Sequence, residues 1–500
     1  MDLLSNLALG FSVALTPWNI LFAFIGAMIG TLIGVLPGIG PIATIAMLLP
    51  LTFHLEPTAG LIMLAGIFYG AQYGGSTSAI LINLPGETSS VVTTLDGHQM
   101  AIQGRAGAAL AAAALASFFA GCVSTALLAA FAPPLARVGQ SFGSPEYFSL
   151  MLLGLIAAVV LAHGSVIKAI AMIVLGLLLG LVGTDGNTGG QRFTFGLNEL
   201  ADGLDVATLA IGLFGISEIM ANLAQRDASR DVVAKKITRL WPTADDFRRG
   251  WPAVLRGTSL GAVLGVLPGG GATLSSFAAY ALEKRVSDRP AMFGRGAIEG
   301  VAAPEAANNA GAQSSFIPML TLGIPGNPVM ALMIGALMIH GIQPGPQIMT
   351  ERPEMFWGMV ASMWVGNLML VIINLPLIGF WVQLLKVPYR FLYLAILLFC
   401  AIGVYTVSNS PAAVIMAAVF GVAGYLFQRL HCEPAPLILG FVLGPLMEEN
   451  LRRALRVSGG DPMIFVERPV SLGLLIVAAI LLLIVALPAI RSGREQAFQE

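Results

Sequence analysis

Apolar positions in this 500-residue chain run nearly unbroken from Trp18 to Ile490, with polar positions gathered into a few short clusters between them. A membrane span takes about 20 apolar residues, so the pattern predicts roughly 10–14 membrane-embedded helical segments and no separate soluble domain. Some of these runs are broken from within. The first break closes the stretch Gly26-Ala-Met-Ile-Gly30-Thr-Leu-Ile-Gly34-Val-Leu-Pro37-Gly38-Ile-Gly40. The stretch Gly257-Thr-Ser-Leu-Gly261-Ala-Val-Leu-Gly265-Val-Leu-Pro268-Gly269-Gly-Gly271 repeats it 231 residues later. Glycine at every fourth position gives a helix a bare face for close packing, and Pro-Gly then ends the helix in mid-run.

A second pair of breaks follows the first in each half: Leu84-Pro85-Gly86-Glu87 and Ile324-Pro325-Gly326-Asn327, 240 residues apart, so one insertion of nine residues separates the copies. Unpaired backbone in hydrocarbon costs several kcal/mol per group and survives where protein, water or a ligand satisfies it. Secondary transporters place substrate and ion sites at such discontinuous helices, between internal repeats. The chain therefore reads as an all-α polytopic membrane protein of two repeats, with re-entrant or broken helices at its Pro-Gly motifs.

Charge divides the chain and orients it. No Lys or Arg precedes Arg105, whereas Arg226, Arg230, Lys235, Lys236, Arg239, Arg248, Arg249 and Arg256 crowd residues 225–256. By the positive-inside rule this linker is cytoplasmic. It joins repeat one (1–224) to repeat two with C-terminal scaffold helices (257–500). The second broken element has basic residues at both ends, ending at Glu283-Lys284-Arg285, and reads as a hairpin entering from the cytoplasm. Its counterpart has no basic flank, as an inverted-topology repeat predicts. Residues 183–205 read as a loop, and Glu448 to Arg456 as an amphipathic interfacial helix.

Composition narrows the function. With 56% hydrophobic and 11% charged residues and a net charge of −1, the chain has no electrostatic footprint for nucleic acid. Its partners are the lipid bilayer and small solutes. Cys122, Cys400 and Cys432 are scattered in apolar runs and read as packing residues; the five histidines show no metal-ligand spacing, so no metal and no cofactor is expected. The N-terminus lacks the positive n-region of a signal peptide. Gly38-Ile-Gly40-Pro-Ile-Ala43 fits a dinucleotide fingerprint and Gly257-Thr-Ser259-Leu-Gly261 a nucleophile elbow, but neither has a strand before it.

The candidate site is therefore the set of four breaks. Helix N-termini there suit a carboxylate, and unwound carbonyls and hydroxyls suit Na⁺. Gly38, Gly40, Gly86, Gly269, Gly271 and Gly326 let backbone approach a ligand; Ser76, Thr77, Asn83, Thr273, Asn308, Asn309 and Asn327 supply side-chain oxygens and amides. Asn83→Ala and Asn308→Ala are expected to impair uptake more than Cys122→Ala. An intramembrane enzyme acting on a lipid-linked substrate is the alternative, and it requires a nucleophile–base or metal constellation at membrane depth. A channel would require a ring of like polar residues.

The two GVLPGxG elements, with Tyr73-Gly-Gly-Ser-Thr77, Ile82-Asn-Leu-Pro-Gly-Glu87, Pro304-Glu-Ala-Ala-Asn-Asn309 and Thr321-Leu-Gly-Ile-Pro-Gly326, resemble the large permease subunit of the tripartite tricarboxylate transporters, the TctA family. The resemblance covers essentially the full length. It implies a multi-pass protein of the bacterial inner membrane and a symport permease driven by a Na⁺ or H⁺ gradient. It also implies a small membrane subunit and a periplasmic solute-binding protein that delivers a di- or tricarboxylate, and it suggests an elevator-like carrier.

Overall fold

A computed structural model describes residues 3–36, 40–161, 165–224, 240–269, 271–385 and 389–486, and it is almost wholly helical. In the first half, α1 (Leu3–Ala14) leads to α2 (Pro17–Val35), α3 (Pro41–Thr52), α4 (Pro57–Ile82), α5 (Ala106–Gln140), α6 (Ser144–Leu161), α7 (Val166–Gly180) and α8 (Val206–Ala224). The second half begins with α9 (Ala244–Val266), α10 (Gly271–Val286), α11 (Glu299–Ser314), α12 (Phe316–Leu322), α13 (Pro328–Ile339) and α14 (Pro353–Asn374). It ends with α15 (Ile378–Leu384), α16 (Tyr389–Ser408), α17 (Pro411–Arg429), α18 (Pro434–Val457) and α19 (Pro469–Ala486). Among the described residues, five helices are long and apolar enough to cross a membrane: α2, α5, α8, α14 and α17. The arms downstream of the breaks, α3 and α13, are apolar but only 12 residues each, because the Pro-Gly motif has spent part of the span.

The outward faces of α16, α17 and α19 carry Leu394, Leu398, Phe399, Ile415, Val419 and Leu483, all more than half exposed. Leu and Phe left bare on the outermost helices, around a core that is itself apolar, fit lipid rather than water as the surrounding medium. This is a multi-pass membrane protein.

The glycine stripes do the same work in both halves. α2 runs parallel to α4, and a Cβ on Gly26, Gly30 or Gly34 would lie 2.2–2.4 Å from the carbonyl oxygens of Met63, Ile67 and Ala71. α9 lies on α11 in the same manner, with Gly257, Gly261 and Gly265 each 2.3 Å from the carbonyls of Ala303, Ala307 and Gly311 by the same measure. The contacted residues 63, 67 and 71 and 303, 307 and 311 are 240 apart, the offset of the second pair of breaks. The nine-residue insertion therefore falls between Gly271 and Ala303, most of it in the α10–α11 link, residues 287–298, where the first half has only the short link between Thr52 and Pro57.

Two expectations are corrected in detail. Residues 183–205 carry the only strands among the described residues: β1 (Gly183–Thr184) pairs antiparallel with β2 (Gln191–Arg192). The segment from Glu448 to Arg456 is not a separate interfacial helix but the continuous end of α18. Nothing after Pro445 breaks it, and the hairpin holds it: Arg452 pairs with Asp185 at 3.0 Å and Arg192 with Glu448 at 2.8 Å.

The Asn187 N–H, seconded by Arg452, holds the Asp185 carboxyl down to about 2. A carboxyl whose folded value is depressed from about 3.9 stabilises the fold above that pH and loses the contribution as pH falls through its folded value. The melting temperatures of wild type and Asp185→Asn should therefore differ by a constant amount above about pH 5 and converge as pH approaches about 2. A gap unchanged at that lowest pH would show that Asp185 acts without its charge.

Candidate functional site

Each break is built from local rules. α4 ends at Asn83, whose backbone is left-handed at φ 58°, and the matching residue in the second half, Gly323, ends α12 at φ 73°. The chain then turns through Leu-Pro-Gly or Ile-Pro-Gly to an extended residue that opens the next helical turn: Glu87 at φ −151°, Asn327 at φ −157°. Asn327 Oδ1 accepts the Met330 N–H at 3.0 Å and so caps α13. At the first pair of breaks, Gly40 precedes the N-terminal Pro41 of α3, while Gly269 adopts φ 80° before α10 and Gly271, its first residue, φ 49°. A β-carbon is strained in that region, so glycine is favoured there.

All four breaks open on one cavity of about 750 Å³. Gly40, Gly86, Gly269, Gly271, Thr273 and Asn327 line it. The tips are tied to each other: the Gly269 N–H donates to the Gly326 carbonyl at 2.7 Å, and the Thr88 and Thr273 hydroxyls meet at 3.0 Å across the two halves. Phe68, Phe277 and Phe214 give the wall apolar area, the last from a π-helical turn, Ile211–Ile216, in α8. The α18 N-terminus, from Glu433 to Pro436, closes one side.

The other candidate residues lie elsewhere. Gly38 falls outside the described residues. Asn83 is exposed and off the cavity, because its part is the left-handed cap. Such a position favours glycine or asparagine, so Asn83→Gly should retain stability while Asn83→Ala lowers it by about 1 kcal/mol; thermal unfolding in detergent reads the difference. Equal losses for both would refute the cap role.

Ser76, Thr77, Asn308 and Asn309 are fully or almost fully buried behind the cavity. Here the structure shows a residue that sequence reasoning passed over. Glu305, on α11 and wholly buried, accepts hydrogen bonds from Ser76 Oγ at 2.6 Å, Thr93 Oγ1, and Ser117 Oγ at 3.4 Å. Asn309 Nδ2 donates to Ser117 Oγ at 2.7 Å and steadies the cluster. Asn308 is buried with neither amide atom hydrogen-bonded. A buried carboxylate in an alanine-rich helix of a membrane protein is expensive, and that expense was the available signal. Gln72, Thr88, Ser89, Glu218 and Glu433 also line the cavity and were not singled out. Among its described lining residues there is no Lys, Arg or His, whereas Glu87, Glu218 and Glu433 are present.

Residues 20–439 match the tripartite tricarboxylate transporter TctA family. The chain belongs to that family. An Agrobacterium vitis protein is 60% identical over all 500 residues and 99% of its own length; it bears the description "Uncharacterized 52.8 kDa protein in TAR-I ttuC' 3'region". A second from the same organism, "Uncharacterized protein in TAR-II ttuC' 3'region", is 57% identical over 240 residues, 48% of this chain and 99% of that protein. No solved structure matches. TctA membership makes this a protein of a tricarboxylate-transporter family, and a system described as tripartite has further components besides it.

Proposed function

We propose that the chain is the large membrane subunit of a binding-protein-dependent secondary transporter in the bacterial inner membrane. It imports a di- or tricarboxylate of the citrate kind, driven by a Na⁺ or H⁺ gradient, with a small membrane subunit and a periplasmic solute-binding protein. The observation that carries this reading is the convergence of four helix breaks on one cavity. Four helices, α3, α10, α13 and α18, begin at its wall. Helix starts present free N–H groups and the positive end of the dipole, which suit an organic anion where no basic side chain is at hand. Glu87 and Glu218 in the wall, when ionised, oppose an unaccompanied anion, and co-entry of cations relieves that opposition. This is a physical reason for symport.

The two repeats enter the membrane from opposite faces. Arg105, at the start of α5, pairs with Asp246, at the start of α9 beside the basic linker, so the end of the first repeat's broken region shares a face with the beginning of the second. Because α2 runs parallel to α4, α2 starts on the other side. The hairpins and breaks are joined across the halves by the threonine pair and by Glu305, and they travel as one body against the outer helices, in the manner of an elevator.

Proteoliposomes holding this subunit and its small partner, with binding protein added, test the reading. Radiolabelled citrate should accumulate only with both the binding protein and an imposed Na⁺ or H⁺ gradient. Flux that ignores the gradient would make the protein a channel. Failure with citrate and with a panel of other di- and tricarboxylates would refute the substrate class.

A further inference from the structure

Ser76 and Ser117, which donate to Glu305, also line a second, separate cavity of about 10 Å³, the space of a single water molecule. Tyr73, Thr77 and Asn374 complete its polar wall, and alanine and aliphatic side chains form the rest. Two of these groups point at nothing. Tyr73 Oη and Asn374 Oδ1 have no hydrogen-bond partner, although both residues are only 4% exposed. The Asn374 amide nitrogen is already engaged with the Leu370 carbonyl at 2.9 Å, which leaves its oxygen as the free end.

The charge at this place is incomplete as well. Three hydroxyls donate to the Glu305 carboxylate. Among the described residues no Lys, Arg or His pairs with it, and a buried carboxylate with no counter-charge is costly. A hydroxyl that gives its hydrogen to a carboxylate keeps an oxygen lone pair for another partner, and Ser76 and Ser117 both line the small cavity. The polar part of the wall therefore offers oxygens, with one carboxylate immediately behind Ser76 and Ser117. Hard cations take oxygen ligands, and a divalent ion draws on several carboxylates. A single carboxylate with neutral oxygens matches one positive charge.

The geometry points to a binding site for one dehydrated Na⁺, held by oxygens of Ser76, Thr77, Ser117, Tyr73 and Asn374 and neutralised by Glu305. The site is separate from the 750 Å³ cavity but joined to it through the Ser89 hydroxyl, which donates to Gln72 Oε1, and through Gln72, which shares its helix with Tyr73 and Ser76. Its part in transport rests on the carrier reading above; the binding of the ion does not.

The test is equilibrium binding of ²²Na⁺ to the purified full chain in nanodiscs, with no carboxylate substrate present. Wild type should bind saturably, Glu305→Gln should lose saturable binding, and Ser117→Ala should weaken it at least tenfold, while Cys432→Ser binds as wild type. Ser117→Ala removes one hydroxyl from a helix interior and guards against a fold defect in the Glu305 variant; both are compared with wild type by melting in Na⁺-free buffer. Absence of saturable binding to wild type, or unchanged binding in both variants, overturns the site. Uptake driven by a proton gradient alone, without Na⁺ binding, would overturn the site and leave the carrier standing. Na⁺ binding without uptake of any carboxylate would do the reverse.

Discussion

Gly86→Ala is expected to lower uptake by about 10²-fold or more, and its counterpart Gly326→Ala to leave uptake within about threefold of wild type. The two glycines occupy equivalent places in the two breaks, 240 residues apart, and their sequence contexts look alike. Their surroundings differ. A Cβ on Gly86 would lie 1.9 Å from the Gly34 carbonyl oxygen and 2.7 Å from the Gly75 Cα, both backbone atoms of packed helices that cannot swing aside. On Gly326 the nearest atoms would be the Gly265 carbonyl oxygen at 3.7 Å and the Ser315 Cβ at 3.8 Å, ordinary contact distances. Alanine at 86 must therefore push the break, with Glu87 and Thr88 behind it, out of the cavity wall, or prise α2 from α4. Uptake per inserted molecule, measured for both variants in the same liposomes, reads the asymmetry. Equal effects would show that the two breaks are packed alike and that the difference in clearance has no consequence.

What could be read from the chain was what repeats along it. The glycine stripes and the Pro-Gly motifs gave the broken helices and their pairing, because spacing on one helix face and loss of an N–H are local properties. Six of the proposed ligand positions reached the cavity for the same reason. Asn83 did not, since a polar residue beside a break is equally able to cap a helix; the glycine at its matched position, Gly323, was the sign that a left-handed backbone was at issue. The cluster around Glu305 joins residues from α4, the turn at Thr93, α5 and α11, up to 229 positions apart. No periodicity reports a contact of that kind. Its cost did report it: a glutamate among alanines in so apolar a chain has to be compensated by something, and the sequence alone does not say by what.

Asp96→Ala is expected to destabilise the protein by on the order of 3–6 kcal/mol, the largest stability loss of any single polar truncation proposed, with Asp96→Asn recovering much of it. Asp96 lies in a π-helical turn, Thr94–His98, and is completely buried. Its Oδ1 accepts three backbone N–H groups, from Gly294 at 2.9 Å and from Gly296 and Ala297 at 2.8 Å, and its Oδ2 accepts the Tyr280 hydroxyl at 2.9 Å. These donors belong to the second half, and three of them to the long α10–α11 link, which has only a short counterpart in the first half. The inserted loop would otherwise leave its N–H groups without partners next to the membrane, at about 1–3 kcal/mol for each one buried. A carboxylate from the opposite repeat satisfies them together and fastens α10 and the start of α11 to the break at residues 83–90. Asparagine keeps an acceptor for the N–H groups and can donate to the tyrosine oxygen, so its effect is smaller; alanine removes both. Gly300 marks how closely the parts fit, since a Cβ there would stand 2.2 Å from Asp96 Oδ2. Melting of the two variants in detergent, with the yield of inserted protein, decides the matter. If Asp96→Ala melts with wild type, the loop is held by other contacts and the two repeats are not coupled through this residue.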